Sequence, residues 1–173
     1  MQTFAQTLEY GVAAESSIAQ WLIGRGWSVL PVYEKLLDDH KGPQLYTSSG
    51  SLIAPDLFVF NSHKVLWVEA KHKSAFTWHR ITGRWTTGID LRHYQDYCQI
   101  AERTPWPVWL LFLHEEGQAK DSPEGSPTGL FGGSLAYLRQ NENHRHDNWG
   151  KGGMVYWAHE TLRLLATLEE IRG

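Results

Sequence analysis

The stretch PDLFVFNSHKVLWVEAK, residues 55–71, decides how this chain is read. Two apolar runs, Leu57 to Phe60 and Val65 to Val68, flank the polar residues Asn61 to Lys64, the pattern of an antiparallel hairpin with a short loop. Pairing Phe60 with Val65 sets Phe58 opposite Trp67 and Asp56 opposite Glu69, because partners in one register keep a constant sum of residue numbers. Directly opposed residues have Cβ atoms about 4.5–5.5 Å apart. Side chains alternate along a strand, so Trp67, Glu69 and Lys71 share one face while Leu66, Val68 and Ala70 take the other. Asp56, Glu69 and Lys71 are therefore expected to converge. Two opposed carboxylates repel, and stability alone would not place them beside an apolar hairpin; a divalent cation relieves the repulsion. The bland alternative is a turn aspartate and a solvated strand end, with Lys71 as their ion-pair partner.

At 173 residues the chain is expected to form one domain, with a core over about 8–113 and a C-terminal extension over about 114–173. The formal net charge of −3 argues against a protein that coats nucleic acid through bulk electrostatics. The charge is uneven, however. Lys64, Lys71, Lys73, Arg80, Arg84 and Arg92 face Glu69 and Asp90 in one locally cationic segment, whereas acidic residues gather at Glu34 to Asp39 and Glu115 to Glu124. Cys98 is the single cysteine, which excludes an intrachain disulfide and zinc sites built on cysteine pairs. With no signal-like leader and no apolar run of membrane-spanning length, a soluble cytoplasmic protein is expected. The nine tryptophans suit packing first, and base stacking second.

Helical spacing predicts a first helix from Leu8 to Arg25, stopped at Gly24 to Gly26, then a strand over Trp27 to Val32 and a polar connection from Tyr33 to Ser51. After the hairpin, Phe76 to Trp85 with Thr82-Gly83 near its centre predicts a second hairpin with a basic, aromatic tip. Asp90 is the expected N-cap of a helix over Leu91 to Arg103, buried along Leu91, Tyr94, Cys98 and Ala101 and ended by Pro105 and Pro107. Val108 to Leu113 reads as a strand covered on both faces. Loops are expected over Asp121 to Gly133 and Asn141 to Gly153, then a strand from Met154 to Trp157 and a closing helix from His159 to Ile171.

Pro55-Asp56, twelve intervening residues and Glu69-Ala70-Lys71 resemble the motif of the PD-(D/E)xK nuclease superfamily. Glu15 on the first helix, ahead of the Gly26-Trp27 turn, is placed like the helix glutamate of the archaeal Holliday junction resolvases. The resemblance covers roughly Leu8 to Leu113. Where relatives with a RecB-type nuclease domain carry Gln-x-x-x-Tyr after the lysine, this chain has Gln95 and Gln99. The resemblance implies an α/β, restriction-endonuclease-like core with a mixed central β-sheet flanked by α-helices. It also implies a DNA endonuclease dependent on Mg²⁺, with Mn²⁺ as a substitute, working on DNA and, as many relatives do, as a homodimer.

On that reading Asp56, Glu69 and the Ala70 carbonyl bind Mg²⁺, Lys71 orients or deprotonates the attacking water, and Glu15 adds a ligand or holds a metal-bound water. Lys73, Arg80, Arg84 and Trp85, with His93 and Tyr97 four apart on one helix flank, are the candidate nucleic-acid contacts. Two other readings stand beside it: a DNA-binding or protein-interaction module without turnover, and a nuclease acting on RNA. His144, His146 and Asp147 form a rival candidate metal cluster in a loop of otherwise unassigned role.

Overall fold

The computed structural model describes residues 13–32, 43–148, 150 and 152–173. Helix α1, Ala13–Gly24, ends as its sequence predicts. The Trp27 N–H reaches the Leu22 carbonyl at 3.1 Å and the Gly26 N–H reaches Ile23 at 2.9 Å, while Gly26 takes φ +85°, a left-handed stop that glycine adopts without strain. The part of the expected helix before Ala13 lies outside the described residues.

The hairpin β4, Leu57–Phe60, and β5, Val65–Lys73, has the register deduced above, with Phe60 opposite Val65 and Phe58 opposite Trp67. Asn61 closes its loop, its side-chain oxygen accepting the N–H groups of His63 and Lys64 at 2.9 Å each. β4 pairs on its other side with β1, Ser28–Pro31, an edge strand where Pro31 removes no needed donor. β5 runs parallel to β8, Val108–His114, which continues antiparallel to β9, Gly129–Ser134, and so to β12, Arg163–Ala166. The result is a mixed six-stranded sheet in the order β1-β4-β5-β8-β9-β12.

A second sheet, in the order β10-β11-β7-β6, comprises β6, Thr77–His79, β7, Arg84–Asp90, β10, His144–His146, and β11, Met154–Ala158. The expected second hairpin is its β6–β7 edge, turning at Gly83 with φ +61°. Helix α2, Leu91–Arg103, packs between the sheets and against a small hairpin, β2 Gln44–Thr47 and β3 Gly50–Ile53. Its fully buried residues are Tyr94, Tyr97 and Ile100, with Leu91, Cys98 and Ala101 half-buried, so the apolar arc is wider and rotated from the expected stripe. Surroundings on several sides, which periodicity does not register, account for that. Asp90 holds the N-cap position, but its side chain accepts no bond from the helix.

Even-numbered β5 residues face a core shared with Ile18, Ala19 and Leu22 of α1; odd-numbered ones face the core beneath α2. Burying each large side chain there contributes about 1.5–3 kcal/mol.

Four expectations are corrected. Residues 129–133 are not loop but most of β9, because Gly132 and Gly133 serve close packing: a Cβ at Gly132 would lie 2.9 Å from the Leu110 carbonyl oxygen and 2.5 Å from the Leu111 side chain. The closing helix is instead a 3₁₀ turn, His159–Thr161, then β12, then α4, Leu168–Arg172, which starts at a Thr167–Glu170 capping box. The edge of β9 recruits Arg163 to Ala166 as a strand despite their helical spacing. Third, the polar connection contains β2 and β3, turned through Gly50 at φ +131° and tied to α2 by the Ile53 N–H on Asp96 at 2.9 Å; residues 33–42 lie outside the described part. His144–His146 likewise forms a short strand within an expected loop. A four-residue helix, α3, Leu135–Leu138, follows β9.

Candidate active site

β4 stops pairing with β5 at Leu57 and Val68, so beyond Val68 the β4 side of β5 lacks a strand. The Asp56 carboxylate takes that place. Its Oδ2 accepts the Ala70 N–H at 3.1 Å, and the Asp56 carbonyl accepts the Val32 N–H at 2.9 Å, which anchors the residue from both ends. Within a strand, a residue's N–H and C=O point to the same side. The Ala70 carbonyl therefore opens toward the Asp56 side, while Glu69 and Lys71 bond toward β8.

Glu69 and Lys71 project from β5 toward α2. The Glu69 side chain is 1% exposed and its carboxylate pairs with the Lys71 ammonium, which also lies 3.9 Å from Asp56 Oδ2. Two carboxylates thus share one lysine in a largely dry setting. Burial, and then the neighbouring charge of Glu69, pushes the Asp56 carboxyl up to about 7. Tyr97 of α2 lies against this pair, its phenol raised well above its ordinary value by burial and by the charges of Glu69 and Asp56. Burial and then the Lys71 charge lower both Lys73 and His93.

Asp56, Glu69, Ala70 and Lys71 thus come together, with His93 within reach of their charges. Tyr97 does not lie on an exposed helix flank; it is 1% exposed, beneath Glu69, where it props the carboxylate rather than meeting a nucleic acid. The i, i+4 spacing of His93 and Tyr97 was the visible signal of their shared side of α2. Trp85 packs against the core and edge-on to Trp78, ring centroids 5.2 Å apart, whereas Arg80 and Arg84 are exposed on the β6–β7 hairpin. Glu15 lies on α1, and its side chain is outside the described part of the structure. Among the described residues no group of three or more His, Cys, Asp or Glu side chains gathers as a metal cage, and His144 stacks on neighbouring rings instead. The rival metal cluster at His144, His146 and Asp147 is thereby set aside.

The donor set suits a hard cation. It offers two carboxylates and a backbone carbonyl, all oxygen, with more negative charge than Lys71 alone balances, and room for further ligands would fall to water. Among the described residues no helix is long and apolar enough to cross a membrane.

No protein-family model and no curated protein sequence matches this chain. Among solved structures, it is similar to the Holliday junction resolvase Hjc of Archaeoglobus fulgidus, an archaeal hyperthermophile, with a TM-score of 0.50 at 10% identity over 94% of this chain and all (100%) of that one. A nuclease from a fusselovirus aligns over 99% of this chain and 92% of its own, at 14% identity and a TM-score of 0.38. With its mixed sheet, flanking helices and split strand pair, the chain has a restriction-endonuclease-like fold.

Proposed function

We propose that this protein is a divalent-metal-dependent deoxyribonuclease, an endonuclease that hydrolyses phosphodiester bonds of DNA. The observation that carries the reading is the convergence of Asp56, Glu69 and Lys71 where β5 loses its neighbour. Mg²⁺, or Mn²⁺ in its place, would be held by Asp56, Glu69 and the Ala70 carbonyl, with Glu15 a further candidate, and would supply Lewis acidity toward phosphate and water. The chain's own residues do the rest. Asp56 is fixed by its backbone bonds, and Glu69 is wedged between Lys71 and Tyr97, so little reorganisation accompanies binding. Lys71, partly exposed and beside both carboxylates, would orient the attacking water and offset negative charge that develops on the phosphate. His93, whose imidazole burial and then the Lys71 charge push below its ordinary value, can accept a hydrogen bond at the edge of the site.

The test is cleavage of supercoiled and linear DNA with Mg²⁺ or Mn²⁺, alongside Asp56→Ala, Glu69→Ala and Lys71→Ala. Cleavage by the wild type and its loss in all three folded variants is the expected result. Undiminished cleavage by any of them overturns the mechanism.

A further inference from the structure

The outer face of the second sheet carries three rings that no step above uses. Register places Thr86, Gly88 and Asp90 of β7, Tyr156 of β11, Thr77 and His79 of β6, and His144 of β10 on that face, while Ile89, Val155 and Trp157 point into the core. Tyr156, His144 and His79 form one continuous face-to-face stack. The Tyr156 and His144 centroids are 4.5 Å apart with planes 4° from parallel, and those of His144 and His79 are 3.7 Å apart at 6°. Gly88 makes the arrangement possible, since a Cβ there would lie 2.7 Å from the Tyr156 ring.

Hydrogen bonds fix the ring planes. Thr82 Oγ1 donates to Asn143 Oδ1 at 3.4 Å, which leaves that hydroxyl oxygen to accept from His79 Nδ1 at 2.8 Å; His144 Nδ1 donates to Asn143 Oδ1 at 2.8 Å. Beside the stack lies a cleft of about 160 Å³ between Trp78, His79, Thr86, His144 and Tyr156. Its scale and flat walls suit one planar heteroaromatic ring. Two cations flank it: Arg80 and Arg84 on the same hairpin are exposed and make no ion pair among the described residues.

The stack also adjoins the proposed active site. Asp90 is two residues beyond Gly88 on β7, about 7 Å along an extended strand. Its charge acts on Tyr156 on one side and on Lys73 and His93 on the other. A polyanion crossing from Lys71 toward Arg84 would run past the rings. Paired bases keep their faces inside the duplex, so a ring platform is usable by an unpaired base alone.

We propose that the His79–His144–Tyr156 stack is a platform for an unpaired nucleobase, so that the substrate is DNA with a single-stranded or splayed stretch next to the cleaved bond. The inference rests on the nuclease reading for its partner, and a binding measurement separates the two. Full-length protein in EDTA is titrated with a labelled duplex bearing splayed arms and with the fully paired duplex of equal length. The wild type should prefer the splayed DNA. His79→Ala, which removes the end ring on which a base would stack, should weaken that complex by about ten-fold, and His144→Ala, which removes the ring that supports it, should weaken it in the same direction; both should leave paired DNA unchanged. His79→Phe and His144→Phe, which keep a flat ring, should retain the preference. Equal affinity of the wild type for both DNAs, or equal losses on both in the alanine variants, overturns the platform even if Mg²⁺-dependent cleavage is found. The expected binding pattern without any cleavage would leave the platform standing and remove the nuclease reading.

Discussion

Asp56 Oδ2 accepts the Ala70 N–H at 3.1 Å, standing in for the strand that β5 loses after Val68. One side chain thereby ends a sheet ladder and presents a carboxylate at the opening so made. Structure and chemistry depend on different properties of that group: an oxygen lone pair for the ladder, a negative charge for a cation.

Asp56→Asn separates the two. An amide oxygen can still accept the Ala70 N–H, so the fold should persist, while cleavage should fall by about 10²–10³-fold or more with the lost charge. Circular dichroism and a DNA-nicking time course on the same sample check this. A variant that nicks at the wild-type rate removes Asp56 from the chemistry.

Cation binding should appear as stability even without DNA. A buried and a partly buried carboxylate sharing Lys71 are relieved by a divalent ion that binds the folded state alone, which at 100 times its dissociation constant adds about 2.7 kcal/mol. Mg²⁺ or Mn²⁺ should raise the melting temperature of the wild type, and much less that of Asp56→Asn or Glu69→Gln. Equal shifts in all three would place the ion elsewhere.

How far the chain could be read without coordinates follows from where its information is local. The hairpin register came from arithmetic on Phe60 and Val65, and it brought Asp56 to Glu69 because alternation in a strand is geometric. The Gly26 stop and the double-covered β8 were equally legible. Gly132 and Gly133 were not, since the same residue type serves turns and close approach, and only the Leu110 carbonyl beside them distinguishes the cases. Arg163 to Ala166 became a strand through the free edge of β9, a partner distant in sequence. Tyr97 read as an exposed flank because the position of Glu69 above it depends on how α2 crosses the sheet. The ring stack draws on three strands, and no local pattern announces it.

In the metal-free protein Asp56 and His114 contribute opposed dependences of stability on pH. Asp56 is raised from 3.8 to about 7, so its contribution is full below its unfolded value and is lost as pH rises through 7. Burial lowers His114, stacked 3.6 Å from Phe76, from 6.5 to about 3, so its contribution is full above 6.5 and is lost as pH falls toward 3. Between 3.8 and 6.5 the slopes, each about 1.4 kcal/mol per pH unit, have opposite signs. Urea unfolding in EDTA should therefore find stability rising more steeply with pH in Asp56→Asn than in the wild type across that window, and less steeply in His114→Phe. Parallel curves for wild type and Asp56→Asn would show that Asp56 titrates as an ordinary carboxylate.

Gly88→Ala should be costly, and Gly24→Ala should not. A Cβ on Gly88 would lie 2.3 Å from the Val155 carbonyl oxygen and 2.7 Å from the Tyr156 ring. Backbone cannot yield there as a flexible side chain would, so the β7–β11 pairing must shift, at a cost of about 1–3 kcal/mol. At Gly24, the last residue of α1, nothing stands within 4 Å of the added methyl, and alanine should hold or raise stability by up to about 1 kcal/mol. Chemical denaturation of both variants measures the contrast. Because the shift at Gly88 also moves Tyr156, the same variant should lose preference for splayed DNA; a Gly88→Ala protein as stable as the wild type would mean that Tyr156 does not lie over β7 as described.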